Sequence, residues 1–224
     1  VIIEFLVNPN PNEERNNSLI KKIKELFLVL IFFFLFISIV GFFEAFIEIF
    51  VEKYHNISIR ELIIADDYNF TKDEFSLFIL LLFPFLEEIA FRFSLVLKKN
   101  YIIISLIGFS LLFLFNSKII LFTLILLCFI LYIFRNKWEN NLIKFLYSNY
   151  KIYYYTSALI FSGLHITNFI NIIPKELYYL SPIYVLPQFI FGLFAGYIRI
   201  KNGFIFAIIF HFIFNLPFII KNYL

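Results

Sequence analysis

From Leu26 to Phe43 the chain carries no charged residue, and apolar runs of similar character recur to its end. A run of this length is what a bilayer-spanning helix requires, since about 20 apolar residues cross the roughly 30 Å of hydrocarbon. The rest of the sequence agrees. Of 224 residues 62% are hydrophobic, 35 are Phe and only 16% are charged, whereas a soluble domain carries about 25% charge. The mean hydropathy is +0.88. A water-soluble fold has nowhere to bury that much Phe, Ile and Leu.

Apolar runs read against charged breaks predict seven spans, near 26–48, 75–97, 101–116, 119–134, 153–173, 183–199 and 203–220. The expected fold is an all-α, multi-pass transmembrane helix bundle with a polar site inside the membrane. The third and fourth spans are short, at about 24 Å each, and are expected as a tight hairpin or as partly interfacial helices. Twelve of the 19 Lys and Arg, from Arg15 to Lys201 and including Arg199, fall on one side of this topology, and six fall on the other. The positive-inside rule then puts the N-terminus in the cytoplasm and the C-terminus outside. Trp138 and the cluster Tyr150, Tyr153, Tyr154 and Tyr155 are expected at an interfacial aromatic belt. No internal repeat of the kind that builds two-halved transporters is visible. No basic segment directly precedes an apolar stretch at the start, so no cleavable signal peptide is expected. Cys128 alone supplies neither a disulfide nor a multi-cysteine metal site, and is expected to pack in a span. A net charge of +3, with scattered Lys and Arg, argues against nucleic acid as a partner.

Within the predicted spans lie six polar residues that need a reason, because an ionisable group in a bilayer costs at least about 2.5 kcal/mol. The second span holds Glu87, Glu88 and Arg92, one turn after Pro84. Pro84 deprives the Leu80 carbonyl of its helical donor and can kink the span. Glu88 and Arg92 are four apart, so they stack on one face and can pair, while Glu87 is turned from Glu88 by about 100°. That division suggests a structural Glu88–Arg92 pair and a Glu87 facing a cavity. An ionic lock between helices would use the same residues. His165 lies in the fifth span; His211 and Asn215, four apart, share a face of the seventh. Each can also serve as a packing residue or as polar glue between helices. The remaining histidine, His55, is expected to be solvated in an acidic outer loop over 49–74.

Depth brings the three groups together. Glu88 is ten residues from Lys98 and His211 ten from Lys201, about 15 Å along a helix in both cases. His165 is fourteen residues from Lys151, at most about 21 Å. Three spans that level their polar groups in this way point to one shared site.

At these residues the sequence resembles the CPBP family of intramembrane peptidases (CAAX proteases and bacteriocin-processing enzymes, also called the Abi family). The family pattern is Glu-Glu-x-x-x-Arg, then Phe-x-x-x-His, then His-x-x-x-Asn. It is met in order by Glu87, Glu88 and Arg92, by Phe161 and His165, and by His211 and Asn215. The stretch Phe191–His211, with Gly192 and Gly196 as a small-residue packing face and Gly203 at the turn, looks like the family's penultimate hairpin. The resemblance covers roughly 75–220. It sets apart a cytoplasmic segment over 1–25 and a variable first helix with its outer loop over 26–74.

The resemblance implies an endopeptidase in which Glu87, helped by His165, activates a water. His211 and Asn215 would stabilise the oxyanion, with Glu88 and Arg92 in support. It implies a peptide or membrane-protein substrate, the lipid bilayer as surroundings, and a bacterial cytoplasmic membrane as location. In this reading no cofactor is required. The alternative is a zinc or other divalent-metal peptidase using Glu87, His165 and His211 as ligands, although no His-Glu-x-x-His is present. Outside catalysis, the competing readings are a proton-coupled transporter or channel, since intramembrane Glu and His also relay protons, and a non-catalytic immunity or scaffold protein.

Overall fold

The computed structural model describes residues 1–13, 15–16, 18–67, 74–112, 118–133, 135–170 and 172–223. It is all-helical, with no strand among the described residues. The helices are α1 (Ile2–Val7), α2 (Leu19–His55), α3 (Ile59–Asp67), α4 (Glu74–Arg92), α5 (Lys99–Leu111), α6 (Lys118–Ile133) and α7 (Arg135–Ser148). They continue with α8 (Tyr150–Leu164), α9 (Ser181–Tyr184), α10 (Leu186–Lys201) and α11 (Phe204–Tyr223). Short 3-10 turns follow α4 over Phe93–Leu95 and α8 over His165–Asn168, and precede α9 over Lys175–Leu180.

Two helical stretches are long and apolar enough to cross a membrane: Leu19–His55, and Lys175–Lys201, in which a 3-10 turn and α9 lead into α10. Shorter apolar helices cover Asn100–Leu111, Leu124–Ile133 and Phe204–Pro217. The structure departs from the predicted spans in three places. α2 runs to His55, about 55 Å for its 37 residues, so the expected outer loop begins only after it. His55 is exposed, as anticipated. Residues 135–148, read as a charged connection, form α7, which with Arg135, Lys137, Glu139 and Lys144 is too polar for a span. The fifth span stops being α-helical at Leu164, leaving His165 on a 3-10 turn.

α10 is the hub. It packs against α2, α8 and α11, and its residues Phe191, Ala195, Tyr197 and Ile198 are fully buried. Gly192 and Gly196 make the approach possible. A Cβ on Gly192 would sit 3.1 Å from the Ala158 Cβ of α8, and one on Gly196 would sit 2.8 Å from the Tyr154 ring. The small-residue face read from sequence is therefore the α8–α10 contact. Gly203 joins α10 to α11 at φ +99°, a conformation that side-chain-bearing residues rarely adopt. α4 completes the bundle against α5, α8 and α11.

The hydrophobic core is continuous from Ile2 and Phe5, through Val29 and Phe33, to Phe191 and Phe210. The N-terminal segments thus share a core with 75–220. Phe5 stands edge-on to Tyr154 and Tyr197, and the Tyr155 hydroxyl donates to the Leu6 carbonyl at the end of α1. Two members of the tyrosine cluster expected at an interfacial aromatic belt are turned into the bundle. Tyr150 and Tyr154 are buried, with their hydroxyls donating to the Leu95 and Leu193 carbonyls. Trp138 and Cys128 have side chains outside the described residues.

Gly192→Leu is expected to lower stability by about 2 kcal/mol or more, because Ala158 backbone lies directly opposite and cannot yield. Gly41→Ala, whose added Cβ meets nothing within 4 Å, is expected to leave stability unchanged or raise it. Thermal unfolding of both variants in one detergent checks the pair.

Candidate active site

Three helices deliver the polar side chains. α4 carries Glu87, Glu88 and Arg92, α8 and the turn after it carry Phe161 and His165, and α11 carries His211 and Asn215. Glu88 is completely buried. Its Oε1 accepts a hydrogen bond from His211 Nδ1 at 2.9 Å, and Arg92 Nε lies 3.7 Å from the same oxygen. The i,i+4 pairing of Glu88 with Arg92 is therefore present, and His211 joins it from another helix. Glu87 is 18% exposed, and its Oε2 lies 3.5 Å from His211 Nε2. The His211 ring stands between two carboxylates, one facing each nitrogen.

Arg92 is 1% exposed, and among the described residues its Nη1 and Nη2 have no hydrogen-bond partner. Aromatic faces compensate in part. The guanidinium carbon is 3.9 Å from the Phe161 ring centroid and 5.5 Å from that of Phe191, close enough for cation–π attraction. Phe161 also meets the His165 ring, with centroids 4.6 Å apart. It thereby connects the supporting Arg92 to the second motif.

His165 Nδ1 lies 2.9 Å from the Phe161 carbonyl. A carbonyl only accepts, so Nδ1 carries the hydrogen, and Nε2 of the neutral ring is left as an acceptor. His165 and Glu87 line one cavity of about 340 Å³ together with Phe83, Leu112, Leu164, Thr167 and Asn168. The expectation that Glu87 turns from Glu88 toward a cavity matches this arrangement. Asn215 is half-buried one helical turn after His211, and no described residue is hydrogen-bonded to its amide. The structure thus joins Glu87, Glu88, Arg92 and His211 by direct contacts and adds His165 through the cavity, with no contact between Asn215 and these side chains among the described residues.

The donor set named for a metal is not gathered. Among the described residues, no group of three or more His, Cys, Asp and Glu side chains is placed to hold an ion. Glu87 and His211 approach each other, but His165 does not complete a triad with them.

A larger cavity, of about 650 Å³, lies elsewhere and is bordered by Glu44, Glu48, Glu52, Arg60 and Tyr184. Glu44 Oε1 is shielded from solvent there without a hydrogen-bond partner among the described residues, whereas the cavity's most buried carboxylate, Glu48, is already engaged. Glu48 accepts bonds from the Ser58 hydroxyl at 2.9 Å, the Arg60 backbone N–H at 2.9 Å and the Tyr184 hydroxyl at 3.1 Å. A carboxylate holding three donors ties α2 to α3 and α9 and has little capacity left for chemistry.

Arg199 plays a part that its place among the loop charges does not suggest: it is 4% exposed and bonded to the end of α4. Its only sequence signal is its place between Ile198 and Ile200, inside the apolar run rather than beyond it.

No protein-family model, curated protein or solved structure matches this chain. The family resemblance rests on the motif residues themselves.

Glu88→Gln should be the most destabilising change in the site. It would leave Arg92 buried without its adjacent countercharge, at a cost of about 3–5 kcal/mol. Glu87→Gln, at the cavity edge, should cost under about 1 kcal/mol. Denaturant unfolding in detergent micelles compares them, and equal losses would contradict the separation of roles.

Proposed function

We propose that this chain is an intramembrane peptidase of the CPBP type that hydrolyses a peptide bond with a water activated by Glu87 and His165. The observation that carries this reading is the shared cavity: Glu87 and His165 come from separate helices, yet both line it. A carboxylate and an imidazole Nε2 are two acceptors, which suits a water with two hydrogens to give. Glu87 takes one proton as the water oxygen attacks the substrate carbonyl, and that proton passes on to the leaving amine. His211, facing a carboxylate at each nitrogen, is placed as a donor, and with the Asn215 amide it supplies hydrogen bonds to the developing oxyanion. Glu88 holds the His211 ring, and Arg92 holds Glu88.

The surroundings favour a bilayer. α2 leaves Phe27 66%, Ile39 66% and Phe42 80% exposed, and α11 leaves Ile205 70% exposed. Contiguous apolar surface on this scale is rare on soluble monomers. In the proposed arrangement the shorter apolar helices complete a multi-pass bundle of about seven spans, with the N-terminus in the cytoplasm and the site at membrane depth.

The test is cleavage of an internally quenched peptide library by the purified protein in liposomes. Wild-type protein should cut a subset of the peptides, and Glu87→Gln and His165→Ala should each lose at least about 100-fold in rate. Undiminished cleavage by Glu87→Gln would overturn the reading. Metal analysis and chelator titration of the same preparation decide the chemistry, because stoichiometric zinc with chelator-sensitive cleavage would move it to a metal-bound water. Proton flux without cleavage would make the protein a transporter.

A further inference from the structure

A helix leaves its last four carbonyls without intrahelical donors. In α4 these belong to Ile89, Ala90, Phe91 and Arg92, the residues directly after the two glutamates. Three of the four receive side-chain donors from three other helices. Ser105 of α5 donates to the Ile89 carbonyl at 2.9 Å, and Ser157 of α8 to that of Phe91 at 2.7 Å. Arg199 of α10 donates from Nε to the Arg92 carbonyl at 3.1 Å, and from Nη2 to the Phe93 carbonyl at 3.2 Å.

Arg199 differs from the two serines in kind. It is the one charged donor of the three, and it places a cation at the negative end of the α4 dipole. Its planar fork reaches two successive carbonyls, which fixes direction as well as distance. It is also tightly held. Its guanidinium carbon lies 4.9 Å from the Phe93 ring centroid, 5.2 Å from Phe204 and 5.6 Å from Tyr101. The carbonyl it grips at Arg92 belongs to the residue whose side chain supports Glu88, and Glu88 in turn orients His211.

We propose that Arg199 is a positioning residue for this site, clamping the end of α4 so that Glu87, Glu88 and Arg92 meet His211 in register. The inference rests on the peptidase reading only where catalysis is concerned; the positioning itself is a property of the fold. Arg199 touches neither the cavity nor any reacting group, so its action runs through the α4 backbone. A lysine would keep the charge but reach one carbonyl at a time. A glutamine would keep a hydrogen-bond donor without the charge.

The chain's three histidines make the test direct. Histidine-selective ¹⁵N labelling of the full chain in detergent micelles gives three imidazole environments, with His211 assigned from the spectrum of His211→Gln. In Arg199→Lys and Arg199→Gln, the His211 resonances are expected to move while those of exposed His55 stay in place. Ser38→Ala, which removes a hydroxyl bonded within α2 far from the site in sequence, should leave all three unmoved. With a cleavable peptide from the library, both Arg199 variants are expected to lose about tenfold or more in kcat, with KM within about twofold of wild type.

Unmoved His211 resonances in a folded Arg199→Lys protein would overturn the proposal. Loss of the folded state in Arg199→Lys would overturn it as well, since the residue would then serve general stability. A wild-type protein that cuts no peptide defeats the peptidase reading alone, because the resonance shift is read without substrate.

Discussion

A carboxylate with no exposure to solvent, Glu88, imposes most of the internal arrangement of this molecule. Burying such a charge is tolerable only when opposite charge and donors are supplied at close range. Arg92 supplies the first from the same helix and His211 the second from α11. Arg92 brings its own requirement, because a buried guanidinium with two unpaired nitrogens needs aromatic faces, which Phe161 and Phe191 provide. One buried carboxylate therefore recruits residues from four helices. Glu88, Arg92 and His211 are interdependent for that reason, and the loss of one leaves a neighbour without its partner.

That network can close only if the helices approach tightly, and α10 makes this possible. Its glycines let α8 come within van der Waals distance, and the Gly203 turn folds α11 back beside it. Gly192 has a double role: a Cβ there would meet Ala158 on one side and lie 3.5 Å from Arg92 Nη2 on the other. Packing and electrostatics are thus coupled at a single position. The aromatic-rich core reinforces the same contact, with Phe191 stacked on Phe210 and on Phe214.

The features legible in the sequence are those that depend on local periodicity. Helical class, the Glu88–Arg92 pairing at four-residue spacing, Glu87 turned toward a cavity and the glycine face of α10 all follow from positions along a single helix. Features that depend on how helices meet were hidden. The contact of His211 with Glu88 joins residues on different elements, and no spacing rule reports it. The end of α8 at Leu164 was obscured because the apolar run continues through Ile166, Phe169 and Ile170. Tyr150 and Tyr154 read as belt residues by composition, and only the packed helices reveal that their hydroxyls find backbone carbonyls inside the bundle. Arg199 was misplaced for a similar reason. A charge near the end of an apolar run looks like a topological anchor until the unsatisfied end of a neighbouring helix is considered.

The two histidines of the site, His165 and His211, end in opposite surroundings, and this difference supports the division of labour in the proposed chemistry. His165 has Nδ1 against a carbonyl, so its remaining nitrogen can accept a proton from a water in the cavity. His211 has a carboxylate at each nitrogen, which favours a ring that donates. Exchanging the roles would require His211 to accept where an acceptor already stands, and His165 to donate from the nitrogen left as an acceptor. The same pair serving as simple packing residues would need no such asymmetry. That contrast, added to the cavity that Glu87 and His165 share, favours the proposed chemistry over a pair of packing histidines.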